Sequence, residues 1–383
     1  MRNALYVGSD IGSKNTAMAI HAQNVAKLFR LVGYNTYFLC RDNGDKLNRI
    51  YDGNYIYVDN YFNIPKISSL ERKLDLITSF KLMKKVVKVV EEKNIECIIF
   101  YGIRGEKKLI DFCKRKKIKI YIDRVDWFEM SDRKQNLTNR ITQYYCDKNI
   151  LEYDFLSDGV ISISKYFYDY YSKNKINTVW IPPIFDVENV EIKRKNHGKI
   201  KLVYAGSLGN NKDDIRPVVK GMIKRNYNHK NDFNLILIGI SFDDLNKEFG
   251  NNNDWLKIGI EAKGKIPNQD VIKIVKDSDF SILLRQNKRY AKAGFSTKFA
   301  ESMSYGTPVI CTKVDGSDIV VTNKVDGFLI KNNEQETIDN ILNIIAHLSS
   351  ETIEQMKKSA YETAKKNFSI AEYQNKFKEF LIN

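Results

Sequence analysis

The residues best suited to chemistry lie between Arg285 and Ile310, in the run RQNKRYAKAGFSTKFAESMSYGTPVI. A strand ends at Leu284, and an exposed loop then carries Arg285, Lys288 and Arg289. Gly294-Phe295-Ser296-Thr297 opens a helix that bears Lys298 and Glu301 and closes at Gly306, before Pro308-Val-Ile begins another strand. Backbone N–H groups at a helix start, with the positive end of the helix dipole, form a cradle for phosphate. Arg285, Lys288 and Arg289 on the loop and Lys298 on the helix add cations beside it. The same residues have plainer uses: Ser296 or Thr297 as an N-cap, Lys298 and Glu301 as a solvated helix pair. The location favours a site, because open α/β sheets bind ligands at the carboxyl ends of their strands.

Two further pieces belong to the same half of the chain. Val203-Tyr-Ala-Gly206-Ser207-Leu-Gly209-Asn-Asn-Lys212 is a glycine turn followed by a lysine, which can bring an ammonium to a diphosphate or be a simple tight turn. Gly264-Lys265-Ile266-Pro267 is a short extended turn whose backbone could hold a base edge or merely connect. In the first half, Asp123-Arg-Val-Asp126-Trp-Phe-Glu129 follows a strand and combines carboxylates with an aromatic wall, which suits a hydroxyl-bearing ligand; Trp127 and Phe128 could equally be core. Asp126 is the candidate there. His21, in the first helix, reads as a packed or surface residue, and His197, His229 and His347 read as structural. Asp277-Ser-Asp279 leads into a strand rather than leaving one, so it reads as a connection and no metal site is expected.

Positioning these pieces requires alternating strands and helices, and the hydrophobic pattern supplies them almost throughout. Ala4–Ser9 reads as a first strand, followed by a turn containing Gly12 and a helix from Thr16 to about Leu31. Asn35–Cys40, Cys97–Tyr101, Ile118–Ile122 and Gly159–Ser164 continue the first series, with Lys81–Lys93 and Lys107–Lys116 as helices. Trp180-Ile-Pro-Pro and the polar stretch Glu191–Gly198 lose periodicity and read as a linker. A second series follows: Lys201–Tyr204, Asn234–Ile240, Leu256–Ile260, Phe280–Leu284, Thr307–Cys311 and Gly327–Ile330, with a last helical stretch from Ile370 to Phe380. The expected fold is α/β with two Rossmann-like domains facing each other across a cleft. Their bounds are 1–185, a linker over 186–199, 200–368, and a C-terminal helix over 369–383 packing back toward the first domain.

With 383 residues, 43% of them hydrophobic and 28% charged, the chain is long enough for two globular domains. No apolar run approaches the ~20 residues of a spanning helix, and the apolar stretch at the start is short for a signal peptide and reads better as a first strand. Five scattered cysteines without a C-x-x-C pair suggest reduced thiols and a cytoplasmic protein. The net charge of +15 is spread over both halves. Nucleic acid is disfavoured because no zinc spacing, basic zipper or RNP-like motif accompanies that charge. Phosphorylated small molecules and an anionic membrane surface remain as partners, beside an ordinary lysine-rich surface. Phe80–Val90 and Lys107–Lys119 are the basic segments that an inner membrane face would meet, and two solvated helices are the plain alternative.

Gly294-Phe-Ser-Thr-Lys-Phe-Ala-Glu-Ser-Met-Ser-Tyr-Gly-Thr-Pro-Val-Ile resembles the donor-binding signature of glycosyltransferase family 4, in members that assemble bacterial surface polysaccharide. The resemblance extends to Gly206 through Lys212, to Gly264–Pro267, to the N-terminal strand, turn and helix, and to Ile181-Pro-Pro. It implies a GT-B fold and transfer of a sugar from a nucleotide-diphosphate sugar to a glycan or polyprenyl-linked acceptor. It also implies retained anomeric configuration, and no cofactor beyond the donor itself. Glu301 then falls on the glutamate that bonds the donor ribose, Lys212 on the lysine of the diphosphate clamp, and Phe295–Thr297 on the amides near the phosphates or sugar. Lys265 and Ile266 fall on the segment that meets the base, and Gly12 on the loop approaching the reacting phosphate. Two positions depart from the pattern: Ala293 stands where the first glutamate belongs, and Ser207 where the clamp has an arginine. Arg285 and Lys298 are placed to compensate. Because Ala293 removes a contact to the transferred sugar, a non-catalytic sugar-nucleotide binder stays as an alternative; an epimerase of the same fold is the second, though it would need carboxylates around the donor sugar and Ala293 removes one. A dinucleotide oxidoreductase is disfavoured, since neither half shows G-x-G-x-x-G after its first strand.

Overall fold

The computed structural model describes residues 2–8, 16–40, 50–51, 55–60, 80–101, 106–132, 136–187, 191–194, 198–209, 213–251, 253–314 and 316–382. The chain divides into two units. The first comprises Met1–Ile184 with Ala293–Phe295 and Ile370–Asn383, and the second Phe185–Lys292 with Ser296–Ser369.

The first unit is built on strands β1 (Arg2–Gly8), β2 (Tyr34–Cys40), β3 (Ile50–Tyr51), β4 (Tyr55–Asn60), β5 (Cys97–Tyr101), β6 (Lys119–Arg124), β7 (Gly159–Ser162) and β8 (Thr178–Trp180). They form one sheet in the order β3-β4-β2-β1-β5-β6-β7-β8, parallel except for the β3–β4 pair. Leu5 and Val7 join one hydrophobic cluster, and Ala4 and Tyr6 join another. Both faces of the sheet are therefore covered, which is why its strands read as unbroken apolar runs. The covering helices are α1 (Ala17–Leu31), α2 (Phe80–Lys93), α3 (Glu106–Lys116), α4 (Leu137–Lys148) and α5 (Lys165–Lys173). Thr16 caps α1 by accepting the Ala19 N–H at 3.2 Å, and Gly33, at φ +95°, ends it.

The second unit holds β9 (Ile200–Ala205), β10 (Phe233–Ile238), β11 (Ile260–Gly264), β12 (Phe280–Leu283), β13 (Val309–Thr312) and β14 (Gly327–Ile330). Its six-stranded parallel sheet runs β11-β10-β9-β12-β13-β14. Helices α6 (Arg216–Tyr227), α7 (Phe242–Phe249), α8 (Trp255–Ile258), α9 (Asn268–Asp277), α10 (Arg289–Ala293), α11 (Thr297–Ser304), α12 (Ser317–Val320), α13 (Gln335–Ala346) and α14 (Ser350–Phe368) follow in order. In this sheet the chain steps from β9 outward to β11 and then returns to β12 on the other side of β9. The reversal places a switch point, where open α/β sheets bind ligands, at the carboxyl ends of β9 and β12.

A last helix, α15 (Gln374–Ile382), belongs to the first unit. Its Phe377 ring meets Phe29 edge-on at 4.9 Å, and Phe380 lies 5.3 Å from Tyr121. Gly159 has no Cβ because one would stand 2.7 Å from the Phe380 ring.

Three sequence expectations are corrected here. The strand expected over Leu256–Ile260 is in its first part the helix α8, capped by Asp254 accepting the Lys257 N–H at 3.1 Å and ended by Gly259 in the left-handed region at φ +86°. The strand β11 starts only at Ile260 and runs into Gly264, so the turn expected over Gly264–Pro267 begins one residue later. Third, part of the linker is pinned to the second unit. Arg194 donates to Asp279 at 2.7 and 3.1 Å and to the Ser350 hydroxyl at 2.7 Å, and Gly306 is bare because a Cβ would stand 2.7 Å from Ile192. Asp277 and Asp279 sit at the amino end of β12, where Asp277 pairs with the Lys201 ammonium and Asp279 accepts the Lys201 N–H at 2.9 Å.

Candidate functional site

At the switch point of the second sheet, the loop after β9 is shaped by its glycines. A Cβ on Gly206 would stand 2.5 Å from the Tyr204 hydroxyl, which donates to the Ser207 carbonyl at 2.7 Å. Gly239, after β10, passes so close that its Cβ would meet the Gly206 carbonyl at 2.7 Å. The Gly239 N–H in turn donates to the Gly264 carbonyl at 2.7 Å. Three glycines thus draw the carboxyl ends of β9, β10 and β11 together through backbone contacts. Gly239 was missed from sequence; a lone glycine ending an apolar strand carries no distinguishing spacing.

Helix α11 brings its residues to the same edge. Ser296 is buried and caps it, its hydroxyl accepting the Phe299 N–H at 3.4 Å, so the plain capping role holds for that oxygen. Lys298, at the second position of the helix, donates to the Ala205 carbonyl at the end of β9, with its ammonium 5.9 Å from the Tyr204 ring centre. Lys298 and Glu301 are both half-buried, which corrects the solvated-pair alternative. The Tyr305 hydroxyl donates to Glu301 Oε1 at 3.4 Å. Burial raises the Glu301 carboxyl above the ordinary glutamate value, against the lowering effect of Tyr305 and Lys298. A carboxylate so desolvated gains from added hydroxyl donors, because hydrogen bonds to a charged group are the stronger kind. Phe295 is buried, Thr297 half-buried, Lys265 exposed, and Ile266 packs against the cluster that also holds Val203, Ile236 and Tyr305.

Arg285 corrects an expectation. It is 8% exposed rather than on an exposed loop, and it forms an antiparallel bridge with Asp213, Nε lying 3.4 Å from Asp213 Oδ1. Its N–H donates to Thr312 Oγ1 at 3.0 Å, and its carbonyl accepts from the same hydroxyl at 2.8 Å. The guanidinium is therefore held at the carboxyl end of β12 as one half of an ion pair. Lys212 and Gly12 lie outside the described residues. Ala293 is fully buried in a core cluster of the first unit, and its carbonyl accepts the Ser164 hydroxyl at 2.6 Å.

In the first unit Asp126 is half-buried on the loop after β6. Trp127 is core, stacked at 6.1 Å on Phe167 and donating to Asp147 at 2.9 Å, so it forms no open aromatic wall. The carboxylate of that group with the most polar partners is Asp123 rather than the candidate Asp126. It is buried, accepts the Tyr6 hydroxyl, and lies 3.0 Å from His21 Nε2 through each carboxylate oxygen. Burial first, then the adjacent Asp123, push the Tyr6 phenol well above its ordinary value, so it stays a donor. His21 reaches from α1 to the end of β6 and ties the loop bearing Asp126 to the β1–α1 side of the sheet. Its partner could not be named from sequence, because only the strand order brings β6 near α1.

Residues 186–363 match the family model described as glycosyl transferases group 1. An uncharacterized glycosyltransferase, MJ1069 of Methanocaldococcus jannaschii, is 30% identical over 263 residues, which span 64% of this chain and 64% of that protein. Among solved structures, a sucrose-phosphate synthase from Thermosynechococcus elongatus superposes with a TM-score of 0.73 at 14% identity, covering 100% of this chain and 98% of that one. Anabaena Alr3699/HepE in complex with UDP-glucose gives 0.67 at 15% identity, over 100% of both chains. These likenesses show a GT-B fold.

Proposed function

We propose that the chain, whose residues 186–363 match the glycosyl transferases group 1 model, transfers a sugar from a nucleotide-diphosphate sugar to a glycan or lipid-linked acceptor. The observation that carries this is Lys298 of α11 reaching the Ala205 carbonyl, beside the Gly206 loop at the switch point of the second sheet, with the half-buried Glu301 near it on the same helix. Glu301 would take the ribose hydroxyls, and the backbone at Lys265 and Ile266 the base. The diphosphate would lie along the start of α11, at Phe295–Thr297, against Lys298, Lys212 and the Arg285 side of its ion pair. As the sugar departs, negative charge grows on that diphosphate, and the fixed cations and helix-end amides stabilise it without reorganising. No protein nucleophile is required if the acceptor attacks from the face the leaving group vacates, with the leaving phosphate as base. This retains configuration and needs no metal. Asp126, on the loop fastened by Asp123 and His21, would orient the acceptor hydroxyl. Assembly of surface polysaccharide at the cytoplasmic face of a membrane suits the net charge of +15 and the two basic helices α2 and α3. Among the described residues, no helix is long and apolar enough to cross a membrane.

A panel of nucleotide diphosphates and their sugars, read by thermal shift, tests donor binding, since a ligand of the folded state raises the melting temperature. Uridine compounds come first because the Alr3699/HepE structure holds UDP-glucose. Slow release of nucleoside diphosphate from the stabilising donor supports a transferase. Stabilisation without any release would favour a binding protein, and no stabilisation by any donor would contradict the reading.

A further inference from the structure

Helix α4 and the π-helical turn after it, Asn149–Tyr153, carry one outward stripe in the first unit. Leu137, Tyr144 and Leu151 recur every seven residues and are 73%, 58% and 52% exposed. Arg140 and Lys148 stand between them on the same side, with the Lys148 ammonium 5.6 and 5.5 Å from the Tyr144 and Tyr153 ring centres. The opposite side is committed to the fold. Gln143 donates to the Phe128 carbonyl at 2.7 Å and to Asp147 at 2.8 Å, and Ile150 is core.

Three large apolar side chains exposed in a row on one helical face, flanked by cations, make a surface that a partner or a membrane could cover. A partner helix would require a second row of apolar residues beside the first, and the positions between the apolar ones on this side hold Arg140 and Lys148. Apolar residues alternating with long cations instead suit a bilayer interface. There the apolar groups enter the acyl boundary, Lys and Arg reach the phosphates, and tyrosine sits at headgroup level. Helix α3 shares a core cluster with the π-helical turn through Cys113 and Ile150, and it exposes Lys114, Arg115 and Lys116, followed by exposed Lys117. The cations and the apolar stripe are thus on neighbouring elements.

We propose that Leu137, Tyr144 and Leu151 insert into the headgroup region of an anionic membrane, with α3 supplying the attraction that brings them there. The inference rests on the membrane-face part of the function proposed above, and it names the element that inserts. Flotation of the full chain with phosphatidylcholine vesicles, with and without phosphatidylglycerol, tests it. The chain should float with the anionic vesicles. The combined variant Leu137→Ser, Tyr144→Ser, Leu151→Ser should bind them more than about tenfold more weakly, from the lost apolar burial, while keeping its melting temperature. Tyr144→Trp should shift its fluorescence to the blue on anionic vesicles only. Undiminished flotation of the triple-serine variant, with loss in Lys114→Glu/Lys116→Glu, would overturn the stripe and leave membrane attachment standing. Failure of the unaltered chain to float would overturn both, as would self-association abolished by the serine changes.

Discussion

Arg285 shows how a residue that looks catalytic can be structural as well. It is buried against Asp213, so Arg285→Ala leaves a buried carboxylate unpaired, which costs about 3–5 kcal/mol whatever its role in catalysis. The pair Arg285→Ala/Asp213→Asn should recover most of that stability in thermal unfolding. Turnover should stay low if the guanidinium also faces the diphosphate, and return if it does not. Lys298→Met tests the neighbouring cation, removes the positive charge that lowers the Glu301 carboxyl, and should lower kcat more than it raises KM. Restoring the missing motif acid is expected to fail, because Ala293 lies in a core with no exposed surface. Ala293→Glu should lower the melting temperature and gain no activity, since a buried carboxylate without a cation is costly. The motif helix was legible in sequence because its glycine, capping serine and apolar face recur at helical spacing. The ion pair of Arg285 was not, because its partner lies far upstream and meets it only when β12 pairs beside β9.

Most elements were legible because strands buried on both faces read as short apolar runs, and helices keep their period. Trp255–Ile258 was misread because so short an apolar run fits a strand or a helical turn equally. Only Asp254 and Gly259, acting as caps, decide it. The C-terminal helix α15 is held by aromatic contacts, so Phe377→Ala should destabilise the first unit by about 3–5 kcal/mol in denaturant unfolding. Helix α14 carries a pH-dependent contact. Lys357 is 3% exposed, donates to the Ser278 carbonyl, and is pushed down by burial to about 8, with Asp277 and Asp279 opposing and Arg194 reinforcing the shift. Below that pH both folded and unfolded chains hold the proton, and the folded state bears the cost of a buried ammonium. Between about 8 and the unfolded lysine value of 10.5, the folded state sheds it first, so stability should rise with pH across that window. Thermal unfolding against pH checks this, and Lys357→Met should flatten the rise.

Across the whole molecule, each sheet has its own switch point, and Arg285 and Lys298, proposed above to face the donor, lie at that of the second. The net charge of +15 suits both an anionic donor and an anionic surface, and salt separates the two. Surface attachment through exposed lysines should weaken steeply as salt rises, while donor contacts at half-buried Lys298 and Glu301 should be screened less. The central claim is that Glu301 holds the ribose of a nucleotide-sugar donor. Titration calorimetry of the donor found by thermal shift, on the unaltered chain and on Glu301→Ala, tests it most directly. Loss of a hydrogen bond to a charged group, worth about 1.5–3 kcal/mol, should weaken binding about tenfold or more while the melting temperature without ligand holds. Equal affinity in the two proteins would contradict the account.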